Sequence, residues 1–218
     1  MTTIYFIRHG KTEWNLAARY QGAHGDSPLL EVSHQDIRSL AASLAGVKFI
    51  HAYTSPLKRA RQTAEELIAQ LPTPVALTVD ERLIEFDLGK MEGMTFSAVE
   101  KEWPTTVDNF HHHPERFDPT VVGSESFEAV IDRLKAAVLD YCHRYPRGNV
   151  LVVSHGAALN AGINGILGAS LVNLKQRGGL SNTSTTVIQT TDQKHFELVK
   201  WNDTEYLHRT QVDPTDTV

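Results

Sequence analysis

A chain of 218 residues, 41% hydrophobic and 22% charged, can bury the core of an ordinary globular protein, in one large domain or two small ones. Its formal net charge of -5 argues against nonspecific nucleic-acid binding, yet leaves room for a local arginine cluster that grips a small anion. The single cysteine, Cys142, excludes an intrachain disulfide, and no apolar run is long enough to span a membrane.

No Pro/Gly/Ser-rich linker and no repeat divides the chain, so a single domain over 1–218 is expected. The N-terminus lacks a basic region followed by an apolar stretch, which makes a cytoplasmic protein the default. The elements follow in order. Ile4 to Ile7 read as a fully buried strand, because apolar side chains succeed one another without alternation, and it runs into Arg8, His9 and Gly10. Ser33 to Ala45 reads as a helix with Ile37, Leu40, Ala41 and Leu44 on one face and Ser33 as cap of a capping box, "SHQD". Phe49 to Thr54 is a short strand. The next helix has Ser55 as cap, Pro56 in its first turn and a stripe of Leu57, Ala60, Ala64, Leu67, Ile68 and Leu71.

Val75 to Val79 is a further strand, followed by a short helix near Thr95 to Glu102 and an irregular stretch rich in His, Pro and Phe. That stretch holds His111-His112-His113, which reads as a loop, since three adjacent histidines cannot all face one ion on a regular element. Trp103, Phe110 and Phe117 read as packing residues. The clearest helix runs from about Glu125 to Tyr145 on the stripe Phe127, Val130, Ile131, Leu134, Ala137, Val138, Tyr141 and Cys142. Val150 to Val153 forms an apolar strand ending in Ser154, His155 and Gly156, and a helix spans about Ala157 to Leu167. Thr185 to Thr190 and Phe196 to Trp201 close the chain as a hairpin across "TDQK".

Strands alternating with helices imply an α/β class, a three-layer α/β/α sandwich with a mostly parallel sheet and helices on both faces. Ligands of such sheets bind beyond the carboxyl ends of the strands. Three of those ends carry unusual chemistry: Arg8-His9-Gly10, Ser55 leading to Arg59, and Ser154-His155-Gly156. Guanidinium forks match phosphate oxygens, and a neutral histidine is a good nucleophile towards phosphorus. A leaving alkoxide needs a proton, and "DERLIEFDLGKMEG" offers carboxylates, among them Glu85 just after a strand; Asp87 and Glu92 read as solvated or structural, and Arg61 as helix support with Glu66 or a neighbour.

The stretch "RHGKTEWN" resembles the signature of the histidine phosphatase superfamily, in its phosphoglycerate mutase-like branch. "QGAHGDSPL", "SPLKRARQTA", "LIEFDLGKMEG", "GSES" and "VSHG" follow in the family's order, with "SNTSTTV" and "WNDTEYL" late in the chain, so the resemblance covers nearly all of it. Three positions depart from the pattern. Leu30 and Ser33 stand at the family's Thr and Gly places, and Lys11 where Glu is common.

The resemblance implies a phosphoglycerate mutase-like fold and a role for each matching position. His9 would become the phosphohistidine. Arg8, Arg59 and His155 would grip the phosphoryl oxygens, with Asn15 a further donor and Gln21, Gly22 and Gly156 beside the pocket. Glu85 would protonate the leaving group and then activate water. No cofactor and no metal is called for, because arginines and histidines supply the positive charge, and the partner is a small-molecule phosphate ester. Whether the chain is a homodimer stays open. A cap-like insertion at about 95–122 would set the substrate.

Three activities suit this set: a phosphatase, a cofactor-dependent phosphoglycerate mutase, and a phospho-ligand binding module without chemistry. Every catalytic position is filled, which disfavours the third. Such mutases follow their catalytic Glu with Arg-His-Tyr-Gly, whereas this chain has Phe86, Asp87, Leu88 and Gly89, and Ala157 stands where mutases place Asn. A phosphatase is therefore the expected activity.

Overall fold

The unbroken apolar runs become the centre of one sheet, because only strands covered on both faces can be apolar throughout. The computed structural model describes residues 1–208; residues 209–218 of the domain expected over 1–218 lie outside the described residues. The elements are β1 (Thr2–Arg8), α1 (Glu13–Leu16), α2 (Glu31–Ser43), β2 (Phe49–Thr54), α3 (Lys58–Ala69), β3 (Leu77–Val79), α4 (Phe96–Glu102), α5 (Pro104–His112), α6 (Phe127–Arg144), β4 (Gly148–Ser154), α7 (Gly156–Ile166), β5 (Thr185–Thr190) and β6 (Glu197–Asp203).

The sheet order is β3-β2-β4-β1-β5-β6. The first four strands are mutually parallel, β5 runs antiparallel to β1, and β6 antiparallel to β5. Alternate residues split the core in two. Ile4, Phe6, Val150 and Val152 meet Leu134, Val138 and Tyr141 of α6 and Leu159 and Ile163 of α7. Ile7, Leu151 and Val153 meet Ile37 and Leu40 of α2 and Ala60, Ala64 and Leu67 of α3. The result is the expected three-layer α/β/α sandwich. Among the described residues no helix is long and apolar enough to cross a membrane.

Register places the chemistry. Arg8 pairs with Ser154, and Val153 lies level with both Ile7 and Thr54, so three strands stop at one height. Helix α7 leaves that edge pressed against α6. A Cβ at Gly162 would overlap Leu134, so the small residue lets the two helices close and fixes where α7 begins.

Several local expectations yield to tertiary contacts. Helix α2 starts at Glu31, with Leu30 at the cap position, and Ser33 is no cap: it is buried and its hydroxyl donates to the Lys11 carbonyl at 2.7 Å. Helix α3 starts at Lys58 after Leu57, and Ser55 turns into the site instead. The irregular stretch contains α5, with Pro104 in its first turn, and His111 and His112 lie in its last turn, not in a loop. Phe110 decides this helix by packing against Phe86, Phe117 and Phe127, contacts that no local pattern encodes. Together with α4, this segment covers a third core cluster containing Tyr20, Phe86 and Phe127.

Candidate active site

His9 follows β1 and is locked by its main chain: its N–H donates to the Ser154 carbonyl at 2.9 Å, and its carbonyl accepts Asn182 Nδ2 at 3.0 Å. The ring Nδ1 lies 2.7 Å from the Gly10 carbonyl. A carbonyl only accepts, so Nδ1 carries the proton and the lone pair sits on Nε2. That nitrogen accepts the Arg59 Nε–H at 3.3 Å. Burial, then the charges of Arg59 and Arg8, hold the ring well below the usual 6.5, so it is neutral at pH 7.

His155 is the second buried ring, 5.1 Å from the first between centroids and edge-on to it. Its Nε2 is 2.6 Å from Ser55 Oγ, whose hydrogen has no other acceptor among the described residues and so goes to the imidazole, while the oxygen accepts the Leu57 N–H at 3.3 Å. The proton of His155 therefore sits on Nδ1, which is buried and has no partner among the described residues. A desolvated donor without an acceptor is costly, and it is offset when an anion arrives. Burial and then the Arg59 charge also keep His155 well below 6.5.

Two neutral buried histidines make stability depend on pH. Between their depressed folded values and about 6.5 the unfolded chain binds more protons, so stability falls as pH drops through that window, by up to about 1.4 kcal/mol per pH unit for each ring. Scanning calorimetry should show a lower Tm at about pH 5 than at about pH 7, with a smaller difference in His9→Ala. An unchanged difference would refute the assignment of His9 as neutral.

Arg59, fully buried in the first turn of α3, is held by a loop. Its Nη1 donates to the Gly25 carbonyl at 2.8 Å and pairs with Asp26 at 3.2 Å, while Nη2 donates to the carbonyls of Gly22 at 3.1 Å and Gln21 at 3.4 Å. Asp26 also accepts the Lys58 N–H at the start of the helix. The loop is shaped by Glu92, whose carboxylate accepts the N–H groups of Ala23, His24, Gly25 and Leu88 at 2.8–3.2 Å. Glu92→Ala should therefore cost about 2–4 kcal/mol in denaturant unfolding, by orphaning those amides, and should raise KM by releasing Arg59. Stability and KM both unchanged would refute this support.

Arg8 is buried beside Gly156 and donates to the Leu180 carbonyl. A Cβ at Gly156 would stand 3.0 Å from Arg8 Nε, so glycine admits the guanidinium to the mouth of α7. Glu85 meets the same helix end. Its Oε1 accepts the N–H of Phe86 at 2.8 Å and of Ala158 at 2.7 Å, and its Oε2 has only the longer Ala157 N–H at 3.3 Å. Oε1 is thus tethered and Oε2 is the freer oxygen. Arg133 of α6 ties down the backbone around it, donating to the carbonyls of Arg82, Ile84 and Glu85.

Arg8, His9, Arg59, Glu85, His155 and Gly156 thus gather at one sheet edge. Asn15 lies next to them through Asn182, and its Oδ1 is spent on Thr12, leaving its amide hydrogens to donate. Gln21 contributes a carbonyl to Arg59, while its side chain bonds Thr12 and Ser27; Gly22 contributes a carbonyl and a tight fit against Glu92. Sequence reasoning missed Ser55 as a partner of His155, and it missed Arg133. Arg61 forms a surface pair with Glu65 at 3.7 Å, while Glu66 bonds His34.

Two clusters could suggest a metal. His24, Asp87 and Glu92 bring ligand atoms within 4.8 Å, but Glu92 is occupied by backbone amides and His24 is bonded to Asp87 at 3.2 Å. The three adjacent histidines diverge: His111 bonds the Tyr20 hydroxyl at 3.0 Å, whereas His113 faces Glu115.

The profile of the histidine phosphatase superfamily (branch 1) matches residues 4–204. A probable phosphoglycerate mutase, GpmB, of Salmonella paratyphi A is 34% identical over 172 residues, covering 77% of this chain and 76% of that protein. Among solved structures, the mycobacterial glucosyl-3-phosphoglycerate phosphatase bound to VO3 superposes with a TM-score of 0.82 at 26% identity, over 92% of this chain and 98% of that one. A mutant phosphoserine phosphatase from Entamoeba histolytica, bound to phosphoserine, gives 0.80 at 28% identity, over 95% and 100%.

Proposed function

Because this chain belongs to branch 1 of the histidine phosphatase superfamily, we propose that it hydrolyses a small phosphate monoester through a phosphohistidine on His9. The observation that carries this reading is the pairing of His9 Nε2, unprotonated and held only by the long Arg59 Nε–H contact, with the Nδ1–H of His155, unpartnered among the described residues, across one buried site. Arg8, Arg59 and Asn15 join that donor in holding the phosphoryl oxygens, so charge stabilisation falls to groups already fixed in place.

In the first step Nε2 attacks phosphorus, the phosphorus–oxygen ester bond breaks, and the leaving alkoxide takes a proton from the Glu85 carboxyl. In the second, Glu85 takes a proton from water, the new hydroxide attacks phosphorus, and the nitrogen–phosphorus bond breaks. Positive charge comes from Arg8 and Arg59, and His155 adds a neutral donor, so the step is proposed as metal-independent. Residues 95–122 cap the leaving-group side within a single domain.

Transfer to water is favoured over transfer to a second hydroxyl because Phe86 is buried among aromatic rings and Asp87 is paired with His24, so the two residues after Glu85 do not supply the Arg-His pair that such mutases carry there. The likeness to a probable phosphoglycerate mutase supports the second reading, a mutase. Incubation with 3-phosphoglycerate in excess chelator separates them. A phosphatase releases inorganic phosphate and glycerate, whereas 2-phosphoglycerate without free phosphate would establish the mutase and overturn the proposal.

A further inference from the structure

A cavity of about 470 Å³ opens between the end of α5 and the segment after α7, walled by His111, His112, Asn160, Lys175 and Gln176. It adjoins the site just described. Asn160 lies two residues beyond Ala158, whose N–H holds Glu85, and the charges of Lys175 and Glu85 act on each other. On the far wall, His111 is bonded to Tyr20, the neighbour of Gln21.

Two polar groups on residues lining this cavity lack partners among the described residues. The Lys175 ammonium stands over the rings of Phe110 and Phe127, 5.1 and 5.3 Å from their centroids, and neither an ion pair nor a hydrogen bond ties it to any described residue. Cation–π attraction offsets part of its desolvation but satisfies none of its N–H donors. Loss of solvation pulls it down to about 8, so it remains largely cationic at pH 7. The second group is Asn160 Oδ1, which is buried and unpartnered among the described residues, while its Nδ2 donates to the Gly178 carbonyl at 2.7 Å and thereby fixes the amide's orientation.

A cation and a buried acceptor, both without partners among the described residues and both on residues that line one cavity beside the proton donor, describe a receptor for the part of the substrate beyond the phosphate. The phosphoryl charge is already met by Arg8, Arg59 and His155, so a further cation on the Glu85 side calls for a second negative group. We propose that Lys175 binds a carboxylate on the leaving group, with Asn160 Oδ1 accepting from a neighbouring hydroxyl or amine, so that the preferred substrates are phosphate esters of short hydroxy acids. This rests on the reading above in taking Arg8, Arg59 and His155 as the phosphoryl site and the Glu85 side as the leaving-group side.

The test is binding, which needs no turnover. In the His9→Ala protein, calorimetry compares 3-phosphoglycerate with glycerol 3-phosphate, which replaces the carboxylate by a hydroxymethyl group. The acid should bind at least about tenfold tighter. Adding Lys175→Met, which keeps the stem and its contacts with the rings, should bring the ratio within about threefold, and Lys175→Arg should restore part of it. No preference for the acid, binding of neither ligand, or a preference that survives Lys175→Met would each overturn the proposal; equal weakening of both ligands would mark Lys175 as structural and do the same. If the preference depends on Lys175 but the wild type releases no phosphate, the hydrolytic reading fails and this one stands.

Discussion

His9→Ala should bring phosphate release from p-nitrophenyl phosphate, measured in excess chelator, down to the protein-free background, a loss of about 10⁴-fold or more, equivalent to more than about 5 kcal/mol of transition-state stabilisation. The size follows from the site. His155 cannot take over, because its Nε2 is turned to Ser55 and its Nδ1 carries a proton. Alanine leaves Arg8, Arg59 and His155 to hold the ester, so the loss should fall on kcat, with binding of the phosphate ester retained. Equal activity in the variant and the wild type would remove His9 as nucleophile and with it the proposed route.

Glu85→Gln should separate the two proton transfers. Glutamine keeps an acceptor for the N–H groups of Phe86 and Ala158, so the loop can stay in place. For 3-phosphoglycerate, whose alkoxide leaves poorly, kcat should fall about 10²–10⁴-fold. p-Nitrophenolate leaves without a proton, so the first step should survive while attack by water slows. Rapid mixing should then show a burst of p-nitrophenol close to one per protein molecule, followed by slow turnover, and acid-labile phosphate should stay on the protein. Wild-type turnover of both esters would exclude Glu85 from the proton transfers. A steady rate without a burst, with both esters slowed alike, would make Glu85 structural instead.

Much of this protein is decided within short stretches of chain. The apolar runs at Ile4 to Ile7 and Val150 to Val153 mark the central strands, because a strand buried on both faces has no polar positions. The stripes of α3 and α6 mark their helices through a periodicity that is complete within about four turns of contiguous chain. The Arg8-His9-Gly10 and His155-Gly156 pairs are legible because strand tips rarely need such residues, and the order of the motifs identifies the family. What only the tertiary structure decides is how these groups are held, since each support is a hydrogen bond between distant parts of the chain. Ser55 looks like a helix cap until its hydroxyl meets His155, 100 residues away. Glu92 reads as solvated or structural, and only the fold decides for the second, by bringing the Ala23 amide to its carboxylate from 69 residues away to shape the cradle of Arg59. Arg133 looks like any charged helix residue until it reaches the Glu85 carbonyl across 48. Helix α5 and Lys175 depend on an aromatic cluster that exists only because Phe110 packs against Phe86 and Phe127. Local periodicity encodes which face of an element is buried; the partner of a buried polar group is set by the packing that brings distant elements together.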